Sequence, residues 1–568
     1  IDRTRIFIKL LERMKRFVVL LLFLINIPSL SVYSESGQYI VYETGLVVPS
    51  GADQISFIFS GINLENEIAA MEKMRQNMFL SKLNQKITLT EFYNLLIALE
   101  QLYVLNGYFL TRFIVPPQTI EEGASIHVIV YPGKIESIDT TQLSKRIAKP
   151  ISSYFTDLLE REGLEYPIIE NAIIKSRDLP GVDLETTIKA GEKPGTSSLQ
   201  LNADHDLING YFGYSNGLSE AAGKDQFTTY YSFNSLLGYG ENFYVGYTVD
   251  PENNNAPEIT DYREASLVGV SIPLTPSNFF LFGSYNNSIT QPEGLNKKGD
   301  FTQTDIGIDY QLKNTRLEKY TLSAGLQWIA EKERSTFSYI TEDTFYDESE
   351  SVELKLKAMD LSFFNNWTMR AESSLKMATS RLGGTKKNNS NLSRVGATTD
   401  FIKWNNSIKL NRGLPLQLQL RTHLNFQKLI SDHGVINAEQ IGITGPGQLS
   451  GFVSGHMAGD EGYFFRTDLG RLFYPFYKDD AEIEKQKTLS LEPYFHAAVG
   501  ATYLKQPASG EYKHLEAVNA GLGVKIRIPN FLLLSDYLDI NLEMATAEKN
   551  LADSKSSTSY LINATFSF

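Results

Sequence analysis

Covalent chemistry in this 568-residue sequence could be sought in seven histidines and one glycine-dense stretch, since cysteine is absent. The histidines are scattered, and no HExxH pair stands at the i, i+4 spacing that a helix-borne zinc site needs. Without cysteine there is neither a disulfide framework nor a thiolate metal site. Gly445-Pro446-Gly447-Gln448-Leu449-Ser450-Gly451 looks like a phosphate loop, but its glycine spacing fits neither a dinucleotide nor a Walker loop. Gly451-Phe452-Val453-Ser454-Gly455 lacks the Gly-x-Ser-x-Gly nucleophile elbow. His456 and Asp460 read as solvated loop residues. The sequence therefore predicts no enzyme, no cofactor and no metal, and assigns the glycines to turns. A formal net charge of −13 argues against broad nucleic-acid binding, which needs clustered lysine and arginine.

The elements around that stretch begin with a targeting segment. Met14-Lys15-Arg16 is a short basic start, Phe17 to Ile27 is almost wholly apolar, and Val32-Tyr33-Ser34 offers a small-residue cleavage site. Such an apolar run is short for a bilayer span and fits a secretory signal. Residues 1–34 are accordingly expected to be an upstream extension plus signal peptide, followed by an N-terminal segment over 35–53.

Two similar α+β units are expected next, over 54–134 and 135–204, each in the order β-α-α-β-β. In the first, Ile55 to Phe59 reads as a strand followed by a polar helical stretch. Thr88 and Glu91 form a capping box ahead of Phe92, Leu95, Leu96, Leu99, Leu102 and Tyr103 at helical spacing, with Gly107 as the stop. Strands over Phe109–Val115 and Ser125–Tyr131 close it. In the second, Ile135–Ile138 is a strand, a helical stripe from Leu143 to Leu158 is interrupted at Pro150, and Pro167 opens a second helix. Strands around Val182–Thr187 and Ser197–Leu201 complete it.

From 205 to 568 the texture is all-β. Segments of alternating character recur, such as Phe227–Phe233, the Tyr320, Leu322, Ala324, Leu326 and Trp328 face, and the run from Leu416 to Phe426. Alternation of this kind puts one face in lipid and the other in a wet lumen, and closure is compulsory because lipid offers no hydrogen-bond partners. At ~22 residues per strand and connection, about sixteen antiparallel strands fit. In the last, Tyr560, Ile562, Ala564, Phe566 and Phe568 face one way. Phe566 and the terminal Phe568 resemble the signal by which outer-membrane barrels are recognised for insertion.

Over its mature length the chain resembles the transporters of two-partner secretion, the TpsB family of the POTRA-plus-barrel superfamily. Asn106-Gly107-Tyr108-Phe109 with Pro116-Pro117-Gln118 looks like the end of that family's first POTRA domain. Pro180-Gly181 looks like the matching turn of its second. Glu439 through Leu449-Ser450-Gly451-Phe452, then Gly459-Asp460-Glu461-Gly462, looks like the loop that folds back into the pore. The resemblance implies a monomeric barrel in a bacterial outer membrane, inserted by the barrel-assembly machinery, with its POTRA domains in the periplasm. It implies export of an unfolded secreted exoprotein without nucleotide hydrolysis. An assembly or insertion factor of the same superfamily, or a passive porin, are the alternative readings.

Two departures stand out. The pore-loop motif of the family usually reads Val-Arg-Gly-Tyr/Phe, whereas Ser450 takes the arginine's place here. The wall residue that would be its aspartate partner is Ala498, in Pro493-Tyr494-Phe495-His496-Ala497-Ala498. The loop is then expected to be more loosely latched, held by packing through Phe452 and backbone contacts or by another polar pair. The stretch from Glu35 to Gln54, with Gly45, Pro49 and Gly51, does not read as the plug helix that some relatives carry.

Overall fold

The computed structural model describes residues 46–120, 125–218, 224–250, 262–292, 296–337, 340–363, 367–380, 385, 391–394, 396–476, 488–531, 536–550 and 556–568, with the side chains of 262, 336–343 and 360–363 left aside. The expected signal peptide lies outside these residues. The expected N-terminal segment enters only from residue 46, where Leu46 joins the first core and Ala52–Gln54 form a 3-10 turn.

The first α+β unit is built on the helix Leu89–Leu105. Its start is fixed by Thr88, whose hydroxyl accepts from the Glu91 N–H while the Glu91 carboxylate accepts from the Thr88 N–H. Both orphan donors are thereby satisfied. Phe92, Leu96, Leu99 and Tyr103 turn one stripe inward against Phe59, Phe113, Val128 and Val130. Thr88→Ala should cost about 1 kcal/mol of this unit's stability, read as a lower midpoint in thermal or urea unfolding of the periplasmic region.

The strands depart from the expected order. β1 (Ser56–Phe59) pairs with β3 (Gln85–Thr88), whereas β2 (Ile62–Glu65) lies parallel to β5 (Ile126–Tyr131), which also pairs with β4 (Arg112–Ile114). The stretch after β1, expected to be helical, thus contributes β2 before the helix Glu72–Phe79 and β3 after it. Four residues between Gly61 and Asn66, both at positive φ, give too short an alternation to register as a strand.

In the second unit β6 (Lys134–Gln142) runs parallel to β8 (Thr196–His205), and β7 (Val182–Ala190) pairs antiparallel on the outer side of β8. The helix Lys145–Phe155 passes through Pro150 without the expected interruption. Proline there removes one backbone bond, and the burial of Ile147, Ile151, Tyr154 and Phe155 keeps the turn helical.

Contacts divide the chain into two compact units, one ending at Asp206 and taking in Ser235–Gly240, the other comprising Leu207–Asn234 and Glu241–Phe568. Sixteen strands of the second close into an antiparallel barrel. In order they are β9 (Ile208–Ser215), β10 (Gln226–Asn234), β11 (Asn242–Val249), β12 (Tyr262–Pro273), β13 (Phe279–Gln291), β14 (Lys297–Asn314), β15 (Lys319–Phe337), β16 (Ile340–Phe363) and β17 (Trp367–Ala378). After a two-residue strand, β18 (Ala397–Thr398), come β19 (Phe401–Leu414) and β20 (Leu418–Leu429). Three more short strands, β21 (Gly434–Val435), β22 (Ile441–Gly442) and β23 (Ala458–Gly459), precede β24 (Glu461–Arg471), β25 (Ser490–Tyr503), β26 (His514–Pro529), β27 (Tyr537–Lys549) and β28 (Ser557–Ser567). β18 and β21–β23 stand outside the barrel ladder.

Closure joins β28 to β9, with Ser567 opposite Tyr211 and the backbones of Phe568 and Gly210 exchanging hydrogen bonds. Tyr560 and Ile562 point outward and are exposed, as are Phe212, Val268, Leu354 and Leu522 on other strands. The expected alternation fails at Leu416. It occupies a tight turn at φ 62°, because Pro415 ends β19 and the ladder resumes only at Leu418.

Candidate functional site: a loop seated in the barrel lumen

The chain between β20 and β24 turns into the barrel. β21 lies parallel to β18, and β22 pairs with β23, so the base of the loop is a closed two-stranded neck. Beyond the neck, Gly445, Gly447 and Gly455 adopt positive φ, which is the turn chemistry expected of the glycine-dense stretch.

The tip, Leu449-Ser450-Gly451-Phe452, is buried throughout. Ile441, Ile443, Leu449, Phe452 and Met457 of the loop form one apolar cluster with Phe464, Ala498, Ala517 and Ala547 of the wall. Three of those wall positions are alanines, whose small side chains leave room for Leu449 and Phe452. Phe452 also stacks on His456, ring centroids 4.9 Å apart, and Lys549 donates to the His456 Nε2.

Ser450 is fully buried, yet polar groups meet it on both sides. Arg466, on the lumen face of β24, donates from Nη1 to the Ser450 hydroxyl at 3.1 Å and to the Gln448 carbonyl at 3.3 Å. The same guanidinium donates to Glu543 on β27 at 2.9 Å and to Asp468 at 2.8 Å. Glu543 accepts further from the Tyr494 hydroxyl at 2.7 Å and lies 3.2 Å from His496 Nε2. The Ser450 carbonyl accepts from the Ser559 hydroxyl, and the Gly451 N–H donates to Asn519 at 2.7 Å.

Ala498 stands directly across the β24–β25 ladder from Arg466. The wall position where relatives would carry an aspartate therefore adjoins an arginine, and its methyl leaves that arginine room to reach the loop. The loop has no arginine, and a wall arginine bonds it instead. Of the two holding modes left open by the sequence, packing and a polar pair, both are present. The geometry does not favour a loose latch.

Two more charged anchors hold the loop nearer its base. Glu439 is 1 % exposed between Lys376 of β17, at 2.6 Å, and Lys403 of β19, at 2.8 Å. Asp460, expected to be solvated, is fully buried: it accepts from Arg394 at 2.6 Å, from the Val435 N–H at 2.9 Å and from the Lys505 N–H at 2.8 Å. Buried carboxylates persist only when paired in this way. Beside it, a Cβ on Gly459 would stand 2.9 Å from the Glu461 carbonyl, and one on Gly462 would stand 2.8 Å from the Ala501 carbonyl. Both glycines let the neck lie flat on β25.

Sequence reasoning missed Arg466, Glu543, Lys376, Lys403 and Arg394. Alternation could have placed Arg466 on the lumen face of its strand. Nothing local indicates that its partners lie 16 and 77 residues away.

The remaining predicted residues are turns and seams. Gly107, at φ 95°, ends its helix, and its carbonyl accepts from the Tyr166 N–H at 2.8 Å. Tyr108 approaches Glu165 at 3.4 Å, while Phe109 packs in the second unit's core. Pro117 leads into Gln118, whose amide donates to the His127 carbonyl at 2.7 Å and accepts from the His127 N–H at 2.9 Å. Gln118 thus substitutes a side-chain amide for the strand residue that would pair with β5 where β4 has ended. Pro180 and Gly181, the latter at φ 70°, form the turn into β7. Phe566 and Phe568 face outward at the closure, with Phe568 stacked 5.5 Å from Phe212.

Ser450→Arg alone would set a second guanidinium beside Arg466, and should lower both barrel stability and loop seating. Adding Ala498→Asp should restore much of the loss by pairing the new charge. Heat-modifiable gel migration compares the two, and equal behaviour would refute this register.

Comparison with known proteins gives a consistent set of similarities. The profile of the family described as haemolysin secretion/activation protein ShlB/FhaC/HecB matches residues 195–528, and that of the ShlB-type POTRA domain matches residues 57–133. The heme/hemopexin transporter protein HuxB of Haemophilus influenzae strain 86-028NP is 22 % identical over 462 residues, covering 77 % of this chain and 75 % of its own. Among solved structures, CdiB from Escherichia coli superposes with a TM-score of 0.68 at 17 % identity, covering 93 % of each chain. BamA from Haemophilus ducreyi lacking POTRA domains 1–3 gives 0.53 at 14 % identity, covering 90 % of this chain and all of that one. These structural likenesses concern the fold.

Proposed function

Because the chain belongs to the haemolysin secretion/activation family ShlB/FhaC/HecB, we propose that it captures one unfolded exoprotein in the periplasm and passes it outward through its barrel without nucleotide hydrolysis. It is a TpsB-type secretion transporter of the outer membrane with periplasmic POTRA domains.

Capture is assigned to backbone pairing. β7 lies at one edge of its sheet, and its last four residues are exposed. An extended segment can add there as a further strand, with main-chain hydrogen bonds supplying affinity and little demand on side-chain sequence. Folding of the exoprotein outside would then bias movement, since a folded domain cannot return through the pore. The barrel sits as a monomer in outer-membrane lipid, and the Phe566 and Phe568 end is read by the barrel-assembly machinery.

The observation that carries this reading is the loop tip seated across the lumen by contacts that involve no covalent chemistry. An anchored internal loop is what a pore needs if it must stay sealed until a chain arrives. Deletion of the gene, followed by comparison of secreted and outer-membrane proteomes, tests it. Loss of one large exoprotein with other barrels unchanged is the expected result. General loss of outer-membrane proteins would instead assign an assembly role, and no change in either proteome would assign a porin.

A further inference from the structure

The lumen wall is divided by charge. Register fixes which side chains face inward: Tyr211 stands opposite Tyr230, Tyr230 opposite Gly246, Tyr244 opposite Gly269, and Phe282 opposite Gly307. Their chain neighbours Phe212, Val245 and Leu281 are exposed on the outer face. Among the described residues on the inner faces of β9 to β13, Arg263 is the only side chain charged at neutral pH, and it lies at the far end of β12. From β14 to β27 the described inner face carries charged side chains, many paired with one another, as in Lys357 with Asp309, Lys355 with Glu372 and Arg421 with Glu492.

The uncharged sector carries a row of rings. Tyr211 and Tyr230 stack with centroids 5.3 Å apart and 17° between planes, and Tyr230 and Tyr244 follow at 6.1 Å and 26°. The glycines opposite them let the rings lie against the wall. A Cβ on Gly269 would fall 2.2 Å from a Tyr244 ring atom, and one on Gly307 2.4 Å from the Phe282 ring. Tyr211 and Tyr230 lie at mid-strand in β9 and β10, and Tyr244 is the third residue of β11. The anchors described for the pore loop lie on other strands, β17, β19 and β24 to β28, and at Arg394 in the connection before β18.

The geometry points to this ring row as the sliding surface for the extended exoprotein chain, a deepening of the export reading and dependent on it. Tyrosine offers a large, rigid, amphipathic contact at low conformational cost, and it grips backbone amides without demanding a sequence. An uncharged wall holds no ionised residue of the passing chain in an ion pair, whereas the opposite wall offers many. Contacts of this kind are individually weak, so the chain is held yet free to advance. Flat aromatic rows also suit sugars, and the test separates the two.

The full-length protein in a planar bilayer is probed with an unstructured Gly/Asn/Thr-rich peptide and, separately, with maltohexaose. Tyr211→Ser/Tyr230→Ser/Tyr244→Ser is expected to shorten peptide block times by about tenfold, a modest share of the binding free energy. Tyr244→Phe is expected to keep them. Should the triple variant not fold, as judged by heat-modifiable migration, Gly269→Ala serves alone, since its Cβ must push the Tyr244 ring off the wall and change the block times. Unchanged peptide block times, no peptide block in the native pore, or sensitivity confined to maltohexaose would each overturn the proposal. The exoprotein readout of the deletion strain is independent: its failure with peptide dependence intact would overturn the export reading and leave the ring row standing.

Discussion

Arg466→Ala is expected to destabilise the barrel by ~3–5 kcal/mol and to release the loop tip, because it leaves a buried carboxylate without its main partner. Arg466 and Glu543 are 5 % and 3 % exposed at their side chains, so solvent screens the pair little. Removing the guanidinium also strips the donor from Ser450 and Gln448, and leaves Asp468 without its 2.8 Å partner. Arg466→Lys should recover only part of the loss, since one ammonium cannot present the fork that reaches Ser450, Glu543 and Asp468 together. A double-mutant cycle with Glu543→Ala should return a coupling of roughly 1–3 kcal/mol. The checks are the temperature of heat-modifiable migration and the conductance of the purified protein in bilayers. Native migration and native conductance in Arg466→Ala would show that the guanidinium does not latch the loop.

Gly451→Ala should have the largest effect for the smallest chemical change. A Cβ there would stand 2.6 Å from the Ala547 backbone nitrogen and 2.7 Å from both the Ala547 Cβ and the Asn519 side-chain oxygen. The nitrogen belongs to β27, whose backbone is held in the barrel ladder and cannot yield. The loop must give way instead, losing the Gly451 hydrogen bond to Asn519 and the burial of Leu449 and Phe452. Overpacking of this kind costs roughly 1–3 kcal/mol, concentrated on the seat of the loop. Secretion of the exoprotein should fall by roughly tenfold, in line with that cost, while other barrels are unaffected. Ala547→Gly should rescue Gly451→Ala in part, because it removes the Cβ clash and leaves the backbone one. Full secretion by Gly451→Ala would refute the tight seat.

The two substitutions test different halves of one latch. In relatives the cation is expected on the loop and the anion on the wall. Here the wall supplies both charges at the tip, and the tip presents to Arg466, Ser559 and Asn519 the hydroxyl of Ser450 and the backbone of Gln448, Ser450 and Gly451. Part of the hold therefore runs through backbone atoms, at Gln448, Ser450 and Gly451, and part through the side chains of Leu449, Ser450 and Phe452.

Local pattern was enough for the elements that repeat or cap. Period-two alternation marked the barrel and the outward face of β28, because lipid on one side and water on the other impose opposite demands on successive residues. The Thr88–Glu91 box and the stripe from Phe92 to Tyr103 fixed a helix, since both ends and the buried face are encoded within one stretch. The order of motifs from Gly107 to Gly462 pointed to the family, and Ser450 and Ala498 marked where this chain departs from it. β2 escaped notice because four residues carry too little periodicity, and Pro150 misled because a buried helix face outweighs one missing hydrogen bond. The latch was beyond reach for a different reason. Arg466, Glu543, Ser450 and Asn519 meet only when the sheet curls shut and the loop enters it, so their pairing depends on shear, closure and burial. Sequence determined which residues could face the lumen; the closed barrel decided which of them would touch.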